Sequence, residues 1–342
     1  MSRKVTYRGG DPKGLPLTTS SLALRTRLFG HLERLIGGPV EADADFPTRR
    51  TKRLALQRSR AGRFVFGTAD PEALIEDRII SPEGVDLRIR LYRPPALSGP
   101  LPVVVNFHGG GWVQGNIEQS EWASSRIAVR AGVVVISVAY RLAPEHVFPA
   151  GVEDSWAVTR WIHDNAADLG IDPDRLSVMG DSAGGNLAAV VALLARDAGA
   201  PAIRRQILIY PGVEMYDKWP SEIRHADAPV LTSHNMRAFS RIYLGEAFGT
   251  EDWRASPFRA ESHAGVAPAL IQTAELDPLL DNGAHYAEAL RADGVDVTYT
   301  EYPGLYHGFI SLPGVMPRAA QALDQIVSVL ISDSAVSKRR AL

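Results

Sequence analysis

The 342-residue chain contains no cysteine. That absence removes disulfides, a thiolate nucleophile and thiolate-bound metal together. Net charge is also nearly missing, since 37 Lys and Arg stand against 39 Asp and Glu to leave -2. A chain so balanced exerts no overall pull on nucleic acid or acidic lipid, and no nucleic-acid partner is expected. No apolar run approaches the roughly 20 residues of a bilayer-crossing helix, so membrane insertion is not expected either. The N-terminal stretch "MSRKVTYRGGDPKGLPL" is basic but lacks the apolar core and cleavage segment of a secretory signal. A cytoplasmic location is the resulting expectation.

What remains reads as an ordinary globular chain, 45% hydrophobic and 22% charged. Its length suits one large α/β domain or two smaller ones. Near the start, Leu24, Leu28, Leu32, Leu35 and Ile36 recur at helical spacing before Gly37 and Gly38, which predicts an amphipathic helix and its stop. From Arg49 to Arg63 there are seven Lys or Arg and no acid. Such a run reads as a solvated face rather than a site for an anionic partner.

From about residue 76 strands and helices alternate. "EDRIISPEGVDLRIRLYRP" predicts two antiparallel strands about a Pro-Glu-Gly turn, because so short a link cannot make a crossover. Continuous apolar runs at 102–108, 132–140, 175–180, 206–212, 269–277 and 297–304 predict strands buried on both faces, with helical stretches between them. The expected fold class is α/β, a mostly parallel, doubly wound sheet. Residues 213–268 are too long for a simple crossover and read as an insertion containing Tyr216, Trp219, Phe239, Tyr243 and Phe248. Its aromatic residues could line a pocket, but packing onto the main domain uses the same side chains.

In such a sheet, ligands gather at the carboxyl ends of the strands. Four of those ends carry reactive or donor groups: His108-Gly109-Gly110-Gly111-Trp112, Gly180-Asp181-Ser182-Ala183-Gly184, Asp277-Pro278-Leu279-Leu280-Asp281 and Tyr306-His307-Gly308-Phe309. A serine on a sharp strand-to-helix turn is strained, and the turn closes only if the residues two before and two after it lack bulk. Gly180 and Gly184 meet that need around Ser182, the candidate nucleophile. Acyl transfer through a serine develops an anionic oxygen that needs fixed N–H donors. Gly110, Gly111 and Ala183 are the expected donors, with Gly109 shaping the turn and His108 organising the loop. Of nine histidines, His307 is the candidate base, since it follows the last strand and Gly308 leaves room beside it. Asp277, at a strand end, is the favoured carboxylate to orient that imidazole, with Glu275 and Asp281 as alternatives. His146 is expected in a structural loop role, and His31, His163, His225, His234, His263 and His285 in surface or structural ones. The order Ser182, Asp277, His307 is that of α/β-hydrolases.

At this point the chain resembles the hormone-sensitive-lipase-like carboxylesterases, the bacterial family IV esterases. The resemblance rests on "HGGGW", "YRLAPEHVFPA", "GDSAGGN", "AELDPLLDNG" and "YHGF", in that order within about residues 76–330. It implies an eight-stranded α/β-hydrolase fold with a helical cap, a Ser182-His307-Asp277 triad, and an oxyanion hole from Gly110, Gly111 and Ala183. It implies hydrolysis of short- to medium-chain acyl esters with no cofactor and no metal. The cap would comprise residues 1–50 and 213–265, leaving 51–212 and 266–342 as the catalytic domain. The expected partner is a small-molecule ester; a homodimer through an exposed edge strand stays open. An amidase or peptidase could use the same triad, but no repeat-built gating domain is present. Plant hormone receptors that resemble the family lack the histidine, and His307 argues against that reading. A lipase acting on emulsions would need a large exposed apolar surface.

Overall fold

The computed structural model describes residues 24–36, 38–41, 43–95 and 99–340. The basic N-terminal stretch, most of the expected N-terminal cap segment before residue 24, and the Gly37 half of the predicted helix stop lie outside the described residues.

One eight-stranded sheet organises the molecule, in the order β1-β2-β4-β3-β5-β6-β7-β8. Strands β1 (Leu74–Ile80) and β2 (Leu87–Arg93) form an antiparallel pair about Pro82–Gly84. β2 runs antiparallel to β4 (Val134–Val138). From there the sheet is parallel through β3 (Leu101–Phe107), β5 (Ile171–Asp181), β6 (Ile203–Ile209), β7 (Ala269–Leu276) and β8 (Val297–Tyr306). The predicted runs coincide with these strands within a few residues, because the inner strands have no polar side to dilute their apolar signal; burial on both faces fails for the edge strand β8, whose first five residues are partly or fully exposed.

The two-residue pleat divides each inner strand between two cores. Val103, Val105 and Phe107 of β3 face one core, together with Val134, Ile136 and Val138 of β4. Val104 and Val135 face the other. The first core is covered by α5 (Ala150–Asp164), α6 (Ala183–Ala198) and α9 (Leu280–Ala292), and the second by α4 (Glu121–Ala131) and α10 (Ala319–Arg340). Helix α6 is apolar on nearly every side, as a helix inside a large core must be. Its alanines let it sit close against the sheet, which fixes the position of whatever precedes its first turn.

Over the carboxyl ends of the strands lie the short helix α7 (Pro220–Arg224) and α8 (Ser233–Leu244), both in the chain between β6 and β7. Beside them lie α1 (Leu24–Ile36), α2 (Phe46–Arg58) and α3 (Arg60–Phe66). Asp45 caps α2 by accepting from Thr48 N at 3.0 Å, and Pro47 in the first turn lacks only a donor that the helix could not pair. Thr232 caps α8 by accepting from Asn235 N. Asn235 Oδ1 in turn accepts from Val40 N at 2.9 Å, tying the N-terminal segment to the insertion.

Two sequence readings change here. The leucine stripe of α1 does not face the protein: Leu24, Leu28 and Leu32 are 69%, 62% and 51% exposed. α1 instead docks through Thr26, whose hydroxyl donates to Val315 O at 2.9 Å, and through Gly30, where a Cβ would stand 2.8 Å from the Tyr306 ring. Nor is the basic run uniformly solvated. Arg50 donates to the carbonyls of Val113 and Ala143 and pairs with Glu145, while Arg53 turns inward.

Candidate active site

Ser182 occupies the single residue between β5 and α6, with φ 57° and ψ −117°. A side chain in that region costs on the order of 1–3 kcal/mol and persists only where its surroundings over-determine it. Here Ser182 N donates to Ile209 O at 2.8 Å, and Ser182 O accepts from Asn186 N and Gly212 N at 3.1 and 3.3 Å. The flanking glycines answer to space. A Cβ on Gly180 would lie 2.1 Å from Gly184 O, and one on Gly184 would lie 1.9 Å from Phe107 O.

His307 follows β8 and places Nε2 2.9 Å from Ser182 Oγ. Its Nδ1 lies 2.7 Å from Asp277 Oδ2, at the end of β7. Asp277 is fully buried, and its other oxygen accepts from Leu279 N at 2.9 Å. A carboxylate at Nδ1 assigns the ring proton to that nitrogen, which leaves Nε2 to accept from the serine hydroxyl. The alternative carboxylates are engaged elsewhere: Glu275 accepts from Gly304 N, and Asp281 in α9 accepts from Ser221 N. His146 is exposed in its loop.

The glycine loop after β3 faces the same point. Gly110, Gly111, Ser182, Ala183 and His307 line one cavity of about 120 Å³. The amides of Gly110, Gly111 and Ala183 donate to no acceptor among the described residues. Gly111, at φ +63°, passes so close under α8 that a Cβ there would lie 2.5 Å from Phe239 Cγ. Beneath the loop, His108 is buried, stacks on Tyr140 at 4.5 Å and donates from Nδ1 to Gly109 O at 2.9 Å. Tyr140 Oη donates to His108 O at 2.6 Å. Burial holds the His108 imidazole well below its usual range, down to about 4, so it is neutral near pH 7.

Sequence reasoning passed over Asp181. Its Oδ1 accepts from Gly109 N at 2.8 Å, joining the glycine loop to the strand that carries Ser182. Desolvation raises its carboxyl to about 6, partly offset by that amide hydrogen bond and by the nearby His307. Its place immediately before the candidate nucleophile was the only available signal. Of the insertion's five singled-out aromatics, Phe239 lines the cavity. Tyr243 stacks on Trp112 at 4.6 Å, Tyr216 meets Phe248, and Trp219 meets Phe258. The remaining apolar lining includes Met215, Leu231, Met236 and Leu279. Among the described residues no group of three or more His, Asp or Glu is arranged to hold a metal ion, and no helix is long and apolar enough to cross a membrane.

This chain matches the alpha/beta hydrolase fold family over residues 104–311. It is 44% identical to carboxylesterase NlhH of Mycobacterium tuberculosis over 264 residues, covering 76% of this chain and 83% of that protein. It is 36% identical to an ethyl acetate hydrolase of Pseudomonas putida over 272 residues, covering 78% and 85%. Among solved structures, the hyperthermophilic esterase of Pyrobaculum calidifontis superposes with a TM-score of 0.82 at 35% identity, covering 92% of this chain and 99% of that one. A thermostable esterase from Pseudomonas putida gives a TM-score of 0.84 at 33% identity, covering 95% and 99%.

Proposed function

This chain belongs to the α/β-hydrolase fold family, among its carboxylesterases related to hormone-sensitive lipase, and from that premise we propose that it cleaves short- to medium-chain acyl esters through Ser182, His307 and Asp277. The observation that carries this reading is the unbroken line of contacts from Asp277 Oδ2 through the His307 ring to Ser182 Oγ, at 2.7 and 2.9 Å. It ends in a cavity bordered by three amides that are unpaired among the described residues.

In this mechanism Ser182 Oγ attacks the ester carbonyl while His307 Nε2 takes its proton. Asp277 keeps the imidazole in the required tautomer and stabilises the imidazolium. The carbonyl oxygen becomes an anion held by Gly110, Gly111 and Ala183, donors that need no reorganisation when the charge appears. The imidazolium then protonates the departing alcohol, leaving Ser182 acylated. Water enters, gives its proton to His307, and releases the carboxylic acid. No redox partner or external electrophile is required. In this reading the insertion 213–265 forms part of a cap and supplies Phe239, Leu231 and Met236 to the cavity.

The cavity that Ser182 faces is lined by Met215, Leu231, Met236, Phe239 and Leu279, an apolar surface suited to an acyl chain. Nitrophenyl acetate, butanoate, octanoate and palmitate separate the possibilities. Expected is a kcat/KM maximum between acetate and octanoate, with palmitate at least tenfold lower. A maximum at palmitate would overturn the chain-length assignment.

A further inference from the structure

The cavity around Ser182 contains a cation that ester hydrolysis does not use. Arg53 of α2 lines it together with Gln114, Gln119, Asp181, Ser311 and Leu312. Its Nε is sealed from solvent without a hydrogen-bond partner, and its guanidinium makes no ion pair or hydrogen bond among the described residues. The guanidinium carbon lies 5.9 Å from the centre of the Phe66 ring, a contact that restrains the side chain without using its donors.

The local framework fixes this arrangement. Gln57, one turn after Arg53 on α2, accepts from Asn116 Nδ2 at 3.0 Å. Asn116 caps the 3-10 turn Ile117–Ser120, and Gln119 in that turn donates to Gly109 O at 3.1 Å. α2 is thereby anchored to the glycine loop, with Arg53 on the inward face. Two further polar atoms of residues lining the cavity, Gln119 Oε1 and Ser311 Oγ, are buried and have no partner among the described residues. The acidic groups that influence Arg53 electrostatically are Glu33 and Asp181, and neither lies within ion-pairing distance. Asp181 is occupied by Gly109 N and Tyr210 Oη.

Arg53 is partly buried, with only Nε sealed, so its terminal nitrogens are free to meet an acceptor in the cavity, and the planar fork of a guanidinium matches a carboxylate. From this we infer that Arg53 is a specificity-determining residue for ester substrates bearing a second, ionised carboxylate, which it binds while Ser182 attacks the ester carbonyl. The inference rests on the esterase reading of Ser182. The free carboxylate belongs either to the acyl part, as in a monoester of a dicarboxylic acid, or to the alcohol part, as in an O-acylated hydroxy acid. Arg53 and Ser182 line the same cavity in either case.

The test compares matched pairs on the full-length protein. For the acyl arm, monoethyl butanedioate is set against diethyl butanedioate. For the alcohol arm, 2-acetoxypropanoate is set against its methyl ester. Wild-type protein should prefer the carboxylate member of at least one pair by tenfold or more in kcat/KM. Arg53→Met, which keeps the apolar stem, should lower that preference at least tenfold, mainly through KM, and Arg53→Lys should restore part of it. A structural role would lower both members together and leave their ratio unmoved. An unmoved ratio, or a wild type that prefers the neutral member of both pairs, overturns the inference. Hydrolysis of nitrophenyl butanoate serves as the separate control: if that too is missing in the wild type, the esterase reading itself has failed.

Discussion

The floor and the roof of the cavity are built on different principles. The floor is backbone: the turn at Ser182, the loop from His108 to Gly111, and amides held by the sheet and α6. Its glycines stand where a Cβ would strike a carbonyl or a ring at 1.9 to 2.5 Å, so almost no substitution is tolerated. The roof is side chain: Phe239, Met236 and Leu231 from the insertion, and Arg53 from α2. Many residue types fill such positions at similar cost. In the proposed reading the floor therefore sets which reaction occurs, and the roof sets which molecule undergoes it.

That division can be broken in graded ways. The largest expected effect lies in the floor. Asp277→Asn leaves the shape intact but presents the wrong partner to His307 Nδ1, so kcat should fall by about four orders of magnitude. Steady-state assays with nitrophenyl butanoate would read this, and a loss under tenfold would move the orienting role away from Asp277.

An intermediate effect arises where floor meets roof. Gly111→Ala pushes a Cβ into Phe239 at a backbone angle that disfavours alanine, which should displace a donor and cost about 10²- to 10³-fold in kcat. Adding Phe239→Ala removes the ring contacts at 2.5 and 2.8 Å while leaving the Cβ of residue 239 at 2.9 Å and the backbone strain. Partial recovery in the double variant is expected. No recovery would mean that the loop's conformation, rather than the roof above it, accounts for the whole loss.

The smallest effect concerns the supports beneath the loop. His108, held down to about 4, destabilises the fold as pH drops below 6.5, because the unfolded chain takes up the proton first. Asp181, raised to about 6, acts oppositely: its contribution is complete below about pH 4 and is lost as pH rises through 6. The two offset each other between pH 4 and 6.5. Asp181→Asn removes one side of that balance, so on going from pH 7 to 4.5 it should lose about 2 kcal/mol more unfolding free energy than wild type. Denaturant titrations at both values measure this. Parallel pH dependence in the two proteins would contradict the raised carboxyl.

The same contrast explains what could be read in advance. Gly180, Gly184 and the glycines after His108 announce themselves because backbone crowding admits no other residue, and the buried strands do so because they are apolar on both faces. α1 misleads for a physical reason. Its leucines are periodic, but Gly30 and Thr26 allow closer docking, so the less hydrophobic face turns inward. Arg53 was hidden in a basic run whose other members are mostly exposed, since period and charge do not distinguish an inward guanidinium from an outward one. Asp181 was hidden by its neighbour: its contact is with Gly109, 72 positions earlier, and only the folded sheet brings them together.

The central claim is that Ser182 carries the acyl group during turnover. Wild-type protein and Ser182→Ala mixed with nitrophenyl butanoate, quenched in acid within the first turnover and digested, give a direct reading by mass spectrometry. One butanoyl group is expected on the wild-type peptide containing Gly180 to Gly185, and none in the variant, whose kcat should fall by about 10⁴-fold or more. A variant that turns over at a comparable rate, or a butanoyl group on some other residue of the active wild type, would contradict the claim.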